Sequence, residues 1–209
     1  MPKSRTRKNR KSPGGAGLTA GDPSSPAERR RRNAIIAVSV AIVAAAIGAY
    51  WWKSAEAERE FLALAAQGSA TLSEVKNEPS LGGGHPASAR RLSYPSRFPT
   101  SGPHHRIPTD PGFYEDQQLA IHLVHALEHG HVVIYYDKPD AGTLGTLRHF
   151  TELYSGHWSG VVATPMPGLG PKIVLTAWTK RLDQAEFDKP SAAAFIDAFR
   201  GRGPENPVR

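Results

Sequence analysis

Five of the chain's nine histidines fall between His104 and His129. Imidazole is the commonest protein ligand for transition metals and the only side chain that titrates unperturbed near neutral pH, so such a cluster points to metal binding or acid–base chemistry. Within it, His125-Ala-Leu-Glu-His129 is an H-x-x-E-H string. In inverted zincins two histidines at this spacing bind zinc and the intervening glutamate activates water. On that pattern His125 and His129 are ligands and Glu128 is the catalytic base of a metal-dependent hydrolase. The peptidase reading also needs an acidic ligand from a second helix, for which Glu152 and Asp183 are candidates. Against it, Gly130 follows at once and puts the string in a last helical turn. The bland alternative is a pair of exposed imidazoles gaining ~0.3–1 kcal/mol each from the helix dipole.

A second string, Pro99-Thr-Ser-Gly-Pro-His104-His105, sets a glycine between serine and proline and so presents His104 from a fixed loop. A Ser101–His104 nucleophilic pair is conceivable there, but the chain has no G-x-S-x-G elbow, and it has no phosphate loop or dinucleotide fingerprint. There is no cysteine, which excludes thiolate sites and disulfides. Imidazole and carboxylate donors without thiolate suit zinc or copper(II); Met166 alone offers a soft ligand for copper(I).

These residues need elements to hold them. The spacing predicts a helix over Asp116–His129, with Ala120, Leu123, Val124 and Leu127 on one side and His122, His125 and His129 on a stripe roughly opposite. A strand should follow over His131–Tyr136, then a helix over Asp140–Tyr154, strands over Gly160–Thr164 and Lys172–Trp178, and a helix over Ser191–Arg200. Short strands mixed with helices give an α+β fold, a small mixed α/β sandwich, over residues 81–205. Because the apolar stripe must face the sheet, only another segment could cover the histidines. The Thr100–His104 loop is expected to pack over the helix end, leaving Glu128 and His129 at least partly buried and partnered by its N–H groups or hydroxyls.

The net charge of +7 would suggest nucleic acid, but its distribution does not. Residues 1–33 carry ten Lys or Arg against Asp22 and Glu28, so of the chain's 26 basic and 19 acidic residues 16 and 17 remain beyond, all after Trp52. The folded part therefore has no excess charge for a phosphate backbone. The tail, 1–33, lacks apolar periodicity and reads as disordered, its basic clusters touching anionic lipid headgroups. Ala34–Trp52 is uncharged over 19 residues, enough to cross a bilayer core of ~30 Å. Arg29–Arg32 abut its start, and Tyr50, Trp51 and Trp52 form an interfacial belt at its end. The positive-inside rule then gives a single-pass plasma-membrane protein with a cytoplasmic N-terminus and an extracytoplasmic domain. A cleaved signal is the rival, but its apolar core would be shorter and its leading region less long. Residues 53–80 read as a helical stalk and linker, and the proline- and glycine-rich stretch over 77–101 as extended or looped.

Pro99-Thr-Ser-Gly-Pro-His104, Gly112-Phe-Tyr, His125-Ala-Leu-Glu-His-Gly130 with Val132-Val-Ile-Tyr135, and Leu175-Thr-Ala-Trp178 with Phe195–Pro204 together resemble a bacterial family catalogued as domain-of-unknown-function family 3105. The likeness spans about Gly83 to Glu205. Members are often anchored by an N-terminal helix, and the family's recurring histidines correspond to His85, His104, His125 and His129, whereas His105, His122 and His131 lie outside the pattern. The resemblance brings no established activity, but implies that His104, Glu128 and His129 share a local structure. The expectation is thus a membrane-tethered domain holding a divalent transition metal through His104, His125 and His129, with His85 as fourth ligand. A metal-dependent hydrolase using Glu128 and a non-catalytic cell-envelope interaction module are the alternatives.

Overall fold

The computed structural model describes residues 25–87 and 92–209, so most of the basic tail, where disorder is expected, and residues 88–91 lie outside the described residues. Two compact units emerge, 1–51 and 52–209. The first is helical from Pro26 onward, where α1 (Pro26–Gln67) begins. That helix starts inside the tail expected to be disordered, and the cause is a capping box. The Ser25 hydroxyl accepts from the Glu28 N–H at 3.2 Å, and the Glu28 carboxylate accepts from the Ser25 N–H at 2.7 Å. Among the described residues, α1 is the one helix long and apolar enough to cross a membrane.

The second unit is built on a six-stranded mixed sheet of order β1-β6-β5-β3-β4-β2. Its strands are β1 (Lys76–Asn77), β2 (Gly112–Phe113), β3 (Val132–Tyr136), β4 (Val161–Pro165), β5 (Ile173–Ala177) and β6 (Lys180–Gln184). β3 is central, parallel to β4 and antiparallel to β5. Because strand side chains alternate between faces, β3 feeds two cores at once. Val133 and Tyr135 pack with Leu123, Leu127, Val162 and Val174 on one face, while Val132, Ile134 and Tyr136 pack with Leu147, Phe150, Phe195 and Ile196 on the other. The first face is covered by α2 (Ala120–Glu128), and the second by α3 (Ala141–Leu153) and α4 (Lys189–Phe199). The result is the expected mixed α/β sandwich.

Local chemistry accounts for most boundaries. Asp140 caps α3 by accepting from the Thr143 N–H at 2.8 Å, and Asp188 caps α4 by accepting from the Ser191 N–H at 2.9 Å. α4 starts at Lys189, ahead of the expected Ser191, because Pro190 suits a first turn whose N–H groups need no helical partner. α2 begins four residues later than expected, at Ala120, because the Gln118 N–H is taken by the Thr164 hydroxyl at 2.9 Å. The strands β1, β2 and β6 are not foreseen from the sequence, the first two being only two residues each. The last turns of α1 also carry core residues. Phe61 and Ala65 are buried, with the Phe61 ring edge-on to Phe150 at 5.5 Å and to Tyr154 at 4.8 Å. That part of the segment read as a stalk belongs to the apolar core of the second unit.

Candidate metal centre

The end of α2 is shaped by Gly130. Its φ of +87° lets the Gly130 N–H reach Leu127 O at 2.9 Å and the His131 N–H reach Ala126 O at 2.9 Å, the double bond of a Schellman cap. The helix therefore stops directly after Glu128 and His129, and both side chains leave from its final turn.

Two loops come to that turn. Gly82-Gly-Gly84 runs alongside Gly102-Pro-His104, joined by Gly102 N–H to Gly82 O and His104 N–H to Gly84 O, both at 2.9 Å. Leu81 N–H adds a bond to the Ser101 hydroxyl oxygen at 2.9 Å. This pairing sets His85 beside His104, their Nε2 atoms 3.1 Å apart. Farther on, His105 N–H donates to Ile121 O at 3.1 Å and Thr109 N–H to His122 O at 3.2 Å, laying the loop along the start of α2. Thr100, Ser101 and His104 are buried, as are His125 and His129, and Glu128 is partly so. The Pro99–Thr109 segment thus meets His122 and His125, whereas His129 lies against Trp158 and Glu205.

Four residues converge there. One ligand atom each from His85, His104, His125 and Glu128 lies within 4.8 Å of every other. His104 Nδ1 is 2.8 Å from Gly102 O and His125 Nδ1 is 2.7 Å from His105 O. A carbonyl oxygen only accepts, so in both rings Nδ1 carries the hydrogen and Nε2 of the neutral ring keeps a lone pair. His104 Nε2 then faces Glu128 Oε2 at 3.0 Å as well as His85 Nε2. Burial pushes the His125 pKa down to about 4, and the neighbouring His104, His129 and His85 rings push the same way against the bond to His105 O. Its ring is neutral at neutral pH, the state in which imidazole binds a metal.

His129 turns away from that set. With His125 and Glu205 it forms a second group, again with ligand atoms within 4.8 Å of one another. Glu205 Oε2 lies 3.0 Å from His129 Nε2 and 3.8 Å from His125 Nε2. Burial lowers the His129 pKa too, and the Glu205 carboxylate opposes it. The ring lies against Trp158, centroids 4.2 Å apart.

Sequence reading did not find Glu205. It reaches the site because the Gly201 N–H bonds Gly130 O at 2.8 Å and the Glu205 N–H bonds Glu128 O at 3.3 Å, folding the C-terminal segment back over the end of α2. Gly203 makes this possible, since a Cβ there would sit 2.2 Å from Glu128 O and Gly130 N. A Gly-x-Gly-Pro-Glu stretch just after a helix was the available signal. The acids proposed instead lie elsewhere. Asp183 is engaged by Arg181 at 2.8 Å and Lys76 at 2.5 Å, and Glu152 is exposed on α3.

Residues 85–209 match the family described as Protein of unknown function (DUF3105), and the matched stretch contains every residue of both groups. The chain belongs to that family. No curated protein and no solved structure matches it. The family description carries no activity, so chemistry must be argued from the groups themselves.

Proposed function

We propose that this chain is a membrane-anchored protein whose domain binds one divalent transition metal ion through His85, His104, His125 and Glu128. The observation that carries this reading is His104. It is fully buried, its Nδ1–H is committed to Gly102 O, and its Nε2 lone pair is aimed at a carboxylate oxygen and a second imidazole nitrogen. A nitrogen lone pair and a carboxylate oxygen 3.0 Å apart repel unless a proton or a metal ion sits between them. Donors ~2.1 Å from a tetrahedral ion lie about 3.4 Å from one another, within the spread found here. The backbone carbonyls on the far nitrogens supply the outer hydrogen bonds that orient and strengthen metal-bound imidazole. Three nitrogens and one oxygen suit zinc or copper(II).

Four protein donors fill a tetrahedral shell, and closed shells hold metal for binding or structure, whereas catalytic zinc keeps a position for water. With Glu128 inside the shell, its use as a general base is disfavoured, and binding is preferred to hydrolysis. Anchoring is proposed from α1. Ile35, Ile36, Val38, Val40, Ile42, Val43 and Ile47 are all more than half exposed, an apolar surface suited to lipid. The run Arg29–Arg32 at the start of the apolar stretch supports a cytoplasmic N-terminus and an extracytoplasmic domain.

Elemental analysis of the full chain, purified in detergent, is the decisive test. The expected result is about one equivalent of zinc or copper, lost in His104→Gln. Less than about a tenth of an equivalent, with no uptake of either added ion, would remove the metal reading and leave an interaction module. Release of the chain from membranes by alkaline carbonate would overturn the anchor.

A further inference from the structure

The group of His125, His129 and Glu205 is not explained by a single four-donor site. Two adjacent clusters could each hold an ion, but one atom forbids it. His125 Nδ1 is committed to His105 O, so Nε2 is the ring's free lone pair. That nitrogen is the donor His125 has to offer to His85, His104 and Glu128, and it is also the atom 3.8 Å from Glu205 Oε2. A lone pair binds one ion at ~2.1 Å, so the two positions exclude each other.

They also differ in donor number, and each opens to solvent at one residue, the outer at Glu205 and the inner at His85. The outer position has three donors, and the Glu205 side chain is 42 % exposed. The inner has four donors, with the His104 side chain at 0 %, Glu128 at 16 % and His85 exposed at its edge. Resting on the metal reading above, we infer that the outer trio is the loading and release station of the inner site. A divalent transition metal ion is first captured by Glu205 and His129 with His125. It then moves inward as His104, Glu128 and His85 replace them, while His125 stays bound. Because His125 offers a ring nitrogen within 4.8 Å of a donor atom of every residue in both groups, the ion changes ligands stepwise and is never stripped bare. At equilibrium the extra donor favours the inner position, so the chain holds one ion.

The test uses zinc as probe on the full chain in detergent. Uptake rate is measured by mixing with limiting zinc, release rate by transfer to excess chromophoric chelator, and affinity by chelator competition. In Glu205→Gln and in the double variant with His129→Gln, affinity should stay within about threefold of wild type. Loading and release should both slow, by about tenfold or more in the double variant. Glu205 is exposed, so the single variant keeps the test sound should His129→Gln fail to fold. Unchanged rates in Glu205→Gln would overturn the inference and leave the inner site standing. So would two tightly bound ions in wild type, or loss of all binding in Glu205→Gln, which would make the outer trio the equilibrium site. Absence of zinc binding by wild type removes the inner site and this inference together.

Discussion

Gly83 offers a way to move one proposed ligand without touching it chemically. A Cβ built at Gly83 would lie 2.6 Å from Glu128 Oε1, and ordinary contact begins at 3.4 Å, so Gly83→Ala requires the carboxylate to retreat by 3.4 − 2.6 = 0.8 Å. Oε1 is rigidly joined to Oε2, the oxygen facing His104 Nε2, so moving the carboxylate by that much draws Oε2 off a ~2.0–2.2 Å zinc bond and effectively removes the ligand. The fold should hardly notice, because the displaced atom ends a flexible side chain and the next neighbour, Trp178 Cη2, is at a comfortable 3.8 Å. Chelator competition should therefore show zinc affinity lower by about 10–100-fold. The melting temperature of the metal-free chain should move by less than about 4 °C, the equivalent of ~1 kcal/mol in a unit of this size. Gly82→Ala should give the reverse. Its Cβ meets nothing within 4 Å, but its φ of +80° penalises any side chain by about 1–2 kcal/mol, so stability falls and affinity is kept. If Gly83→Ala left zinc affinity at the wild-type value, Glu128 would not be a ligand and the four-donor site would be wrong.

Three further outcomes are expected. Gly203→Ala places a Cβ 2.2 Å from backbone atoms that cannot yield, so thermal melting should show a loss of about 3 kcal/mol, or 6–12 °C; a smaller loss would mean that the C-terminal segment is not fixed to the end of α2. Phe61→Ala should cost about 3–5 kcal/mol in denaturant titration of the full chain, and a loss under about 1 kcal/mol would show that the last turns of α1 do not belong to the core. His131 is almost fully buried, its Nε2 is 2.7 Å from His157 O, and burial pushes its pKa down to about 4. The unfolded chain takes up this proton near pH 6.5 and the folded one does not, so stability is full above about 6.5 and declines as the pH falls toward 4, by about 3 kcal/mol in all. Measured in chelator, His131→Gln should remove this share of the decline and leave the share due to His125; an unchanged slope would refute the assignment.

The parts of the fold legible in the sequence are those set by local pattern. β3 is an unbroken apolar run, α2 carries an apolar stripe closed by Gly130, and α3 has its aspartate cap; each lies within a few residues of where the pattern puts it. The parts that were not legible depend on partners far along the chain. β1 exists because Lys76 and Asn77 lie against Arg181 and Lys180, more than a hundred residues away, and no two-residue strand has a periodicity to read. β6 mixes Lys, Arg, Asp and Gln with a lone buried Leu182 and so resembles a loop. Glu205 depends on the back-to-back approach of Gly130 and Gly203, which sequence spacing does not encode.

The histidine stripe shows the same division at the site. A helical projection fixes the angle at which His125 and His129 leave α2, and that angle is opposite the apolar face; it says nothing of what covers them. Covering them is expensive unless their polar atoms are satisfied. His105 O meets that need at Nδ1 of His125, as Gly102 O does for His104, while His129 Nδ1 is buried without a partner; the two carbonyls thereby fix the Nε2 lone pairs of His104 and His125 toward the site. The His104 lone pair can be met by a hydrogen on His85 Nε2, by a proton on His104 shared with Glu128, or by a metal ion shared by all four. Either hydrogen serves a single pair, His85 with His104 or His104 with Glu128, and leaves His125 Nε2 outside it. The shared ion satisfies every inward-facing atom at once, and for that reason the metal reading outweighs a simple buried ion pair.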